Sequence, residues 1–182
     1  MSASTQAPTG HDRISRLLHW ATAGAILAAF LVGWVMGELP RGGLRELGRN
    51  LHYSLGVLAL GLGLLRLPWR LAHPGPAPLA GPAWQLQAAA WTHRVMLGLA
   101  LAVPMAGLFD RWARGRVPVI FGMPLPAPFP VPGGRAWGEV HETLAWALAA
   151  FVVAHLVAVL WHAMVLRDGT LGRMWGGTGG SR

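Results

Sequence analysis

Residues 139 to 166 read EVHETLAWALAAFVVAHLVAVLWHAMVL, an apolar run that can cross a membrane as one helix. A bilayer core needs about 20 such residues. The run contains His141 and His155, which lie fourteen residues apart. Fourteen residues make close to four helical turns, so both imidazoles leave the same face, about 21 Å apart along the axis. Because an ionisable side chain within hydrocarbon is costly, the default interpretation of these histidines is functional.

The composition extends this interpretation to the whole chain. Of the 182 residues, 53% are hydrophobic and 12% are charged, whereas soluble domains usually carry about twice that share of charge. The apolar residues cluster in four blocks: Leu17 to Gly37, Leu51 to Leu65, Trp91 to Leu108 and Leu144 to Leu166. The first and fourth blocks can span a bilayer, and the other two can when extended through Leu47 and Phe109. The sequence therefore predicts an all-α, integral membrane four-helix bundle.

The connections between the blocks define the predicted domain, residues 13–175, which lies between flexible tails at residues 1–12 and 176–182. We expect irregular connections over residues 38–50, over the proline-rich residues 69–82, and over residues 110–134. Every second residue from Pro124 to Pro132 is proline, which predicts an extended chain. A long ordered loop often covers a site or meets a partner, and a plain rigid linker is an equally good interpretation. No cleaved signal peptide is expected.

The net charge of +8 comes from arginine, since the chain contains no lysine. No basic stripe is interleaved with aromatic residues on a soluble face, so we expect no nucleic-acid partner. The arginines instead flank the apolar blocks, as expected for anchoring to the headgroups of a lipid bilayer. With the N-terminus inside, eight of the 15 arginines would lie inside and seven outside, which leaves the orientation open. The absence of cysteine excludes thiolate metal sites and covalent haem attachment through cysteine.

Four histidines lie at matching depths in the predicted spans. Because helix directions alternate, His52 and His141 lie near one membrane surface, and His19 and His155 lie in the opposite half. Two imidazoles fill both axial positions of a haem iron, which suits electron transfer and prevents small substrates from binding the iron. We therefore predict that these four histidines are the metal ligands of two non-covalent b-type haems, one above the other.

Two further histidines leave alternatives open. His162 lies seven residues beyond His155, and its depth in the block matches that of His19 better. If His141 and His162 were the ligands of the two haems on this helix, however, the two haem sites would lie about 31 Å apart, the whole hydrocarbon thickness. We favour His155 as the ligand and expect His162 to lie behind the ligands or beside a quinone. His93 is expected either to bond a haem propionate or headgroup, or to handle protons at a quinone pocket.

Haem propionates require cations. Arg16, Arg66 and Arg70 lie on the His19 side and are predicted to contact the cofactor there. Arg49 and Arg135 lie on the His52 side. Each can form bidentate contacts with a carboxylate, and interfacial anchoring is the alternative role for each.

Three short motifs occur in a fixed order along the chain: His19-Trp20, Asn50-x-His52, and His141-Glu142-Thr143-Leu144 with His155 fourteen residues on. In order and spacing they resemble the bacterial cytochrome b561 family, and the resemblance covers roughly residues 12–175. It implies a di-haem cytochrome of the bacterial inner membrane with a cytoplasmic N-terminus. His19 and His155 would hold the inner haem, and His52 and His141 the outer one.

The resemblance also implies a function, that of a quinone-linked oxidoreductase that transfers electrons across the membrane. Ubiquinone is the implied electron partner, and superoxide oxidation on the outer side is an activity of close relatives. A periplasmic redox partner at the outer proline-rich loop and a homodimer stay open. The alternative function is a haem-bearing anchor subunit for a peripheral dehydrogenase or hydrogenase. A metal-ion transporter is a weaker alternative, since the apolar blocks contain almost no acidic residues.

Overall fold

Four long helices build the protein, whose structure is a computed structural model that describes residues 10–79 and 81–175. Their bounds are α1 Arg13–Met36, α2 Gly43–Ala72, α3 Ala83–Ala113 and α4 Ala136–Trp161. Each is long and apolar enough to cross a membrane, α4 together with the turn that follows it. The prediction of an all-α, four-helix membrane bundle is therefore confirmed.

Small residues make up much of the interior of the bundle, and many large apolar side chains face outward. Ala25, Ala59, Ala100 and Ala106 are buried, whereas bulky residues such as Trp34 are exposed. Lipid is as apolar as these side chains, so membrane helices pack through small residues that let their backbones approach. Two buried hydroxyl groups bond backbone carbonyls one turn back, Thr22 Oγ1 to Leu18 at 2.6 Å and Ser54 Oγ to Asn50 at 2.8 Å.

All three connections are shorter than the sequence predicts. Helix α2 begins at Gly43 and continues through Pro68 to Ala72, and α3 begins at Ala83. Helix α3 also continues to Ala113, so the prediction that residues 43–50, 69–72 and 110–113 are irregular was wrong. The physical reason is that an apolar block marks only the part of a helix within lipid. Polar residues continue the same hydrogen-bonded helix into the headgroup layer, where arginine side chains remain solvated.

A small hairpin, which the sequence did not predict, follows α3. Strand β1 (Val119–Ile120) pairs antiparallel with β2 (Met123–Pro124), and Phe121 and Gly122 adopt positive φ in the turn. Ser54 Oγ accepts a hydrogen bond from the Phe121 amide at 2.8 Å, which ties the hairpin to α2. Residues 125–133 form neither helix nor strand. We call this end of the bundle the hairpin end.

The first and last described segments of the chain meet at the opposite end, which we call the terminal end. Helix α4 finishes in one π-helical turn, His162–Leu166, and a short helix α5 (Gly172–Trp175) folds back toward α1. The His11 amide bonds the Arg173 carbonyl at 3.1 Å, and the Trp20 indole bonds the Met174 carbonyl at 3.2 Å. His11 belongs to the predicted N-terminal tail. The rest of that tail up to residue 9, and the C-terminal tail 176–182, lie outside the described residues.

Candidate functional site

His52 of α2 and His141 of α4 meet at the hairpin end. Their ring centroids lie 5.9 Å apart and their planes are nearly perpendicular, at 89°. When two imidazoles bind the same metal ion, each at about 2 Å, their ring centres are roughly 6 Å apart. The separation therefore fits a single metal ion held between the two rings. Both side chains are half-buried.

Backbone carbonyls fix the orientation of both rings. His52 Nδ1 lies 2.8 Å from the carbonyl oxygen of Ala29 in α1, and His141 Nδ1 lies 2.8 Å from that of Val103 in α3. A carbonyl only accepts, so Nδ1 carries the proton in both rings and Nε2 keeps a free lone pair on the neutral imidazole. Metal-ligating histidines are typically oriented in this way by a bond from the other ring nitrogen.

Two glycines provide the space that the rings occupy. A Cβ at Gly33 would lie 2.8 Å from His52 Cε1, and one at Gly107 would lie 3.0 Å from His141 Nδ1. Gly33 follows Ala29 by four residues and Gly107 follows Val103 by four, so each glycine lies one turn beyond the carbonyl on the same helix face. Each candidate ligand is thus held in the same way, by a backbone carbonyl and a glycine of the helix that packs beside its own: α1 for His52 and α3 for His141. The sequence analysis did not identify any of these four residues, the two that supply the carbonyls and the two glycines.

A second cluster lies at the terminal end, and it is built differently. The rings of His93 in α3 and His155 in α4 are in edge contact, with centroids 5.3 Å apart. His19 Nδ1 of α1 lies 3.0 Å from Arg66 Nη2 of α2. Because a guanidinium only donates, His19 Nδ1 accepts and the neutral ring carries its proton on Nε2. The structure places His93, not His19, in ring contact with His155, and we call these three histidines with Arg66 the terminal-end cluster.

The other residues predicted for this end of the bundle are Arg16, Arg70 and His162. Arg16 and Arg66 are half-buried and Arg70 is exposed. His162 Nδ1 lies 2.5 Å from Asp168 Oδ2, and the Thr170 hydroxyl donates to Asp168 Oδ1 at 2.6 Å. Burial alone would raise the pKa of Asp168, but the hydrogen bonds from Thr170 and His162 outweigh it and lower the pKa to about 2. His162 therefore faces an ionised carboxylate after the π-helical turn.

The described residues contain no group of three or more His, Cys, Asp or Glu side chains that could hold a metal ion. A haem needs no such group, because the porphyrin supplies four nitrogen ligands and the protein supplies only the axial ones. The paired imidazoles at the hairpin end fit that requirement.

Comparison with known proteins gives one family and several relatives. A family model described as prokaryotic cytochrome b561 matches residues 10–177. Cytochrome b561 homolog 2 of Escherichia coli (strain K12) is 30% identical over 178 residues, 94% of this chain and 94% of that protein. Cytochrome b562 of Cereibacter sphaeroides is 29% identical over 177 residues, 93% and 97% of the two chains. The probable superoxide oxidase CybB of Yersinia pestis is 27% identical over 163 residues, 86% and 90%.

Proposed function

The chain belongs to the prokaryotic cytochrome b561 family, and we propose that it transfers electrons across the bacterial inner membrane through two b-type haems. Membership makes it a multi-pass membrane protein with a b-type haem and a redox role. Bound haem supplies one-electron chemistry at iron, and the protein supplies axial ligands, orientation and an apolar surrounding. We propose His52 and His141 as the ligands at the hairpin end.

The arrangement of His52 and His141 carries this proposal. Both rings are held by a backbone carbonyl through Nδ1, which leaves Nε2 free for a metal ion in the neutral imidazole, and their centres are 5.9 Å apart. Ordinary packing requires neither the matched tautomers nor the glycine at each ring. Occupation of both axial positions favours electron transfer over binding of a small substrate to iron.

At the terminal end we propose His19 and His155 as the ligands, with His93 beside them. Coordination through Nε2 requires the His19 proton to move to Nδ1, where it can no longer accept a bond from Arg66. Arg66 then needs another acceptor, and a haem propionate is a carboxylate that matches the guanidinium. Arg16 and Arg70 are proposed to assist it from the same end of the bundle.

We further propose that quinone exchanges electrons near the terminal end, which faces the cytoplasm. Reduction of one quinone to quinol takes two electrons and two protons. His162 is one-third exposed and is bonded to Asp168, so it can hold a proton close to the membrane surface. The name of the Yersinia pestis relative supports superoxide as an electron donor, and we propose that it reacts at the hairpin end. Two superoxide ions would then give two molecules of O₂ and supply both electrons.

A docking role is the second candidate, and one observation favours it. Phe121, Met123 and Phe129 are 62%, 69% and 56% exposed around the hairpin and the proline-rich loop. A peripheral redox protein that covers these side chains could deliver electrons to the hairpin-end haem. The chain would then be an anchor subunit and would show no turnover with small donors on its own.

A spectrum and a haem count test the first proposal. We expect the purified protein to show a reducible b-type spectrum and two haems per chain by the pyridine haemochromogen assay. A colourless protein contradicts electron transfer, and one haem per chain contradicts the two-site assignment. In proteoliposomes, quinol supplied on one side should reduce both haems. Turnover with superoxide that appears only after a peripheral partner is added favours the docking role.

A further inference from the structure

Arg111 lies in the last turn of α3 and carries an unsatisfied donor. Its guanidinium carbon lies 5.3 Å from the centre of the Tyr53 ring, a cation–π distance. Its Nε is the one buried side-chain nitrogen or oxygen without a hydrogen-bond partner among residues 10–79 and 81–175. Arginine does not lose its proton, and an unmade bond from a buried charged donor is costly. The position therefore calls for an acceptor.

Arg111 lies on the face of α3 that contacts His141. Val103, Gly107 and Arg111 are spaced by four residues, so they lie along one face of the helix. Arg111 is one turn, about 6 Å, further toward the hairpin end than the glycine that contacts the ring. Tyr53, over which its guanidinium lies, directly follows His52, and those two rings are 6.1 Å apart. Arg111 thus lies one turn beyond the glycine that contacts His141, and over the ring of the residue that follows His52.

No hydrogen bond joins Arg111 to a carboxylate within residues 10–79 and 81–175, although the charge of Asp110 acts on it. The neighbouring acid, Asp110, is paired with Arg114 at 2.6 Å. Two of the other charged groups that act on Arg111 are guanidinium groups as well, those of Arg49 and Arg116. The local excess of positive charge and the unsatisfied Nε both point to an anion that comes from outside the polypeptide.

Resting on the proposed function, we propose that Arg111 binds a propionate carboxylate of the haem held by His52 and His141. Its guanidinium N–H groups are the donors, and the Tyr53 ring orients the guanidinium plane. A propionate is the carboxylate that such a haem brings to this end of the bundle, and guanidinium binds carboxylates with paired, directional bonds. Arg111 is in this sense a cofactor-positioning residue.

The proposal has a measurable electrostatic consequence. Reduction adds one negative charge to the haem, and a nearby cation stabilises the reduced form. Loss of the Arg111 charge, with the propionate charge left unbalanced, should therefore shift the equilibrium toward the oxidised haem. We expect a shift of about tenfold, which is about 59 mV for a one-electron couple.

The test is a redox titration of purified Arg111→Gln beside Arg41→Gln. Arg41 is exposed in the α1–α2 connection at the same end, so its removal controls for the loss of one surface charge. The hairpin-end component is identified in advance as the one that His141→Ala loses. We expect that component to move to lower potential in Arg111→Gln only. Equal potentials in the two variants overturn the assignment, as does a shift confined to the other haem, and a lipid phosphate partner would give the equal-potential result.

A conservative variant keeps the test decisive if Arg111→Gln does not accumulate. Arg111→Lys retains the charge but lacks the Nε–H and the planar fork. We expect it to bind two haems, with a hairpin-end potential below that of the wild type by less than in Arg111→Gln. A wild-type potential in Arg111→Lys overturns the proposal. Failure of the proposed function is a separate result, because it requires the wild-type protein to lack haem at the hairpin end.

Discussion

The two ends of the bundle hold their histidines by different means. At the hairpin end, His52 and His141 each bond a backbone carbonyl and sit against a glycine. At the terminal end, His19 bonds the side chain of Arg66, and His155 contacts the ring of His93. Backbone carbonyls carry no net charge and do not titrate, so the hairpin-end orientation is independent of protonation. The terminal-end orientation depends on ionisable side chains.

This difference suits the two proposed roles. A site that only passes single electrons benefits from a fixed ligand geometry. A site beside quinone must also exchange protons, and side chains such as His93 and His162 can do so. The surface around the terminal end is itself titratable. Burial, and then the positive charge of Arg70, lower the pKa of His11 below its usual 6.5, so His11 is neutral at pH 7 in its contact with α5.

The largest expected effect comes from removing ligands one at a time. His52→Ala and His141→Ala should each reduce the haem content from two per chain to one, because each removes one of the two axial bonds that hold that haem. His19→Ala and His155→Ala should each remove the other haem. The pyridine haemochromogen assay measures the count, and redox titration identifies which component is lost. His73→Ala is the matched control, since His73 is exposed and stacks on Trp69 at 3.9 Å.

His93→Ala tests which histidine is the second ligand, beside His155, at the terminal end. With His19 and His155 as ligands, this variant keeps two haems and changes only the potential of one. Loss of a haem in His93→Ala, together with retention of both in His19→Ala, would mean that the ring contact seen in the structure identifies the ligands. The prediction from the sequence would then be wrong at that end.

The sequence was sufficient for the spans and for the two levels of histidines. Lipid requires a long, uninterrupted apolar run for each helix, and the 3.6-residue period places His141 and His155 on one face of α4. Alternating directions then bring His52 close to His141, which the ring separation of 5.9 Å bears out. These features depend on length and periodicity alone, so they can be read from residue types.

The residues that hold the His52 and His141 rings in place could not be predicted, for a physical reason. Every residue has a carbonyl, so nothing in the sequence distinguishes Ala29 or Val103 as an acceptor. Gly33 and Gly107 become informative only when the helix faces that oppose His52 and His141 are known. The helix ends were missed for another reason, since the polar turns of α2 beyond the hydrocarbon have no apolar signature. The contact of His93 with His155 likewise depends on how α3 and α4 pack.

A glycine substitution tests whether the surroundings of the hairpin-end rings are as rigid as their geometry indicates. In Gly33→Ala the new Cβ would lie 2.8 Å from His52 Cε1, so the ring or the helix must shift. We expect the hairpin-end haem to be held about 10- to 100-fold more weakly, the usual effect of disturbing the group that orients a ligand. Transfer of haem to an excess of apomyoglobin measures the retention, and the terminal-end haem should be unaffected.

Gly24→Ala is the control on the same helix. A Cβ there meets nothing within 4 Å, and alanine is favoured over glycine in a helix by up to about 1 kcal/mol. Haem retention in Gly24→Ala should equal that of the wild type. If Gly33→Ala also retains its haem normally, the hairpin end adapts as easily as the terminal end and the contrast between them fails.

The smallest effect is expected at Asp12, which caps α1 at the terminal end. Its carboxylate accepts from the Ser15 hydroxyl at 2.5 Å, from the Ser15 amide at 2.9 Å and from the Trp69 indole at 3.3 Å. The Ser15 hydroxyl contributes most to lowering the pKa of Asp12 from 3.8 to about 2. Asp12→Ala should lower the free energy of unfolding by about 1 kcal/mol at pH 7, the usual cost of losing an N-cap.

The sign of the pH dependence follows from the lowered pKa. The unfolded chain takes up the proton first, near pH 4, so the cap stabilises the fold fully above that pH. The stabilisation disappears as the pH falls toward 2, and the wild type and Asp12→Ala should converge there. Unfolding in mixed micelles at pH 7 and at pH 3 measures both differences, and Asp12→Asn, which keeps an accepting oxygen, should lose less at pH 7. A difference that is the same at both pH values would mean that Asp12 acts through packing and not through its charge. At pH 7 the hairpin-end haem should be retained equally in all three proteins, because its ligands are oriented by backbone carbonyls at the opposite end of the bundle from Asp12.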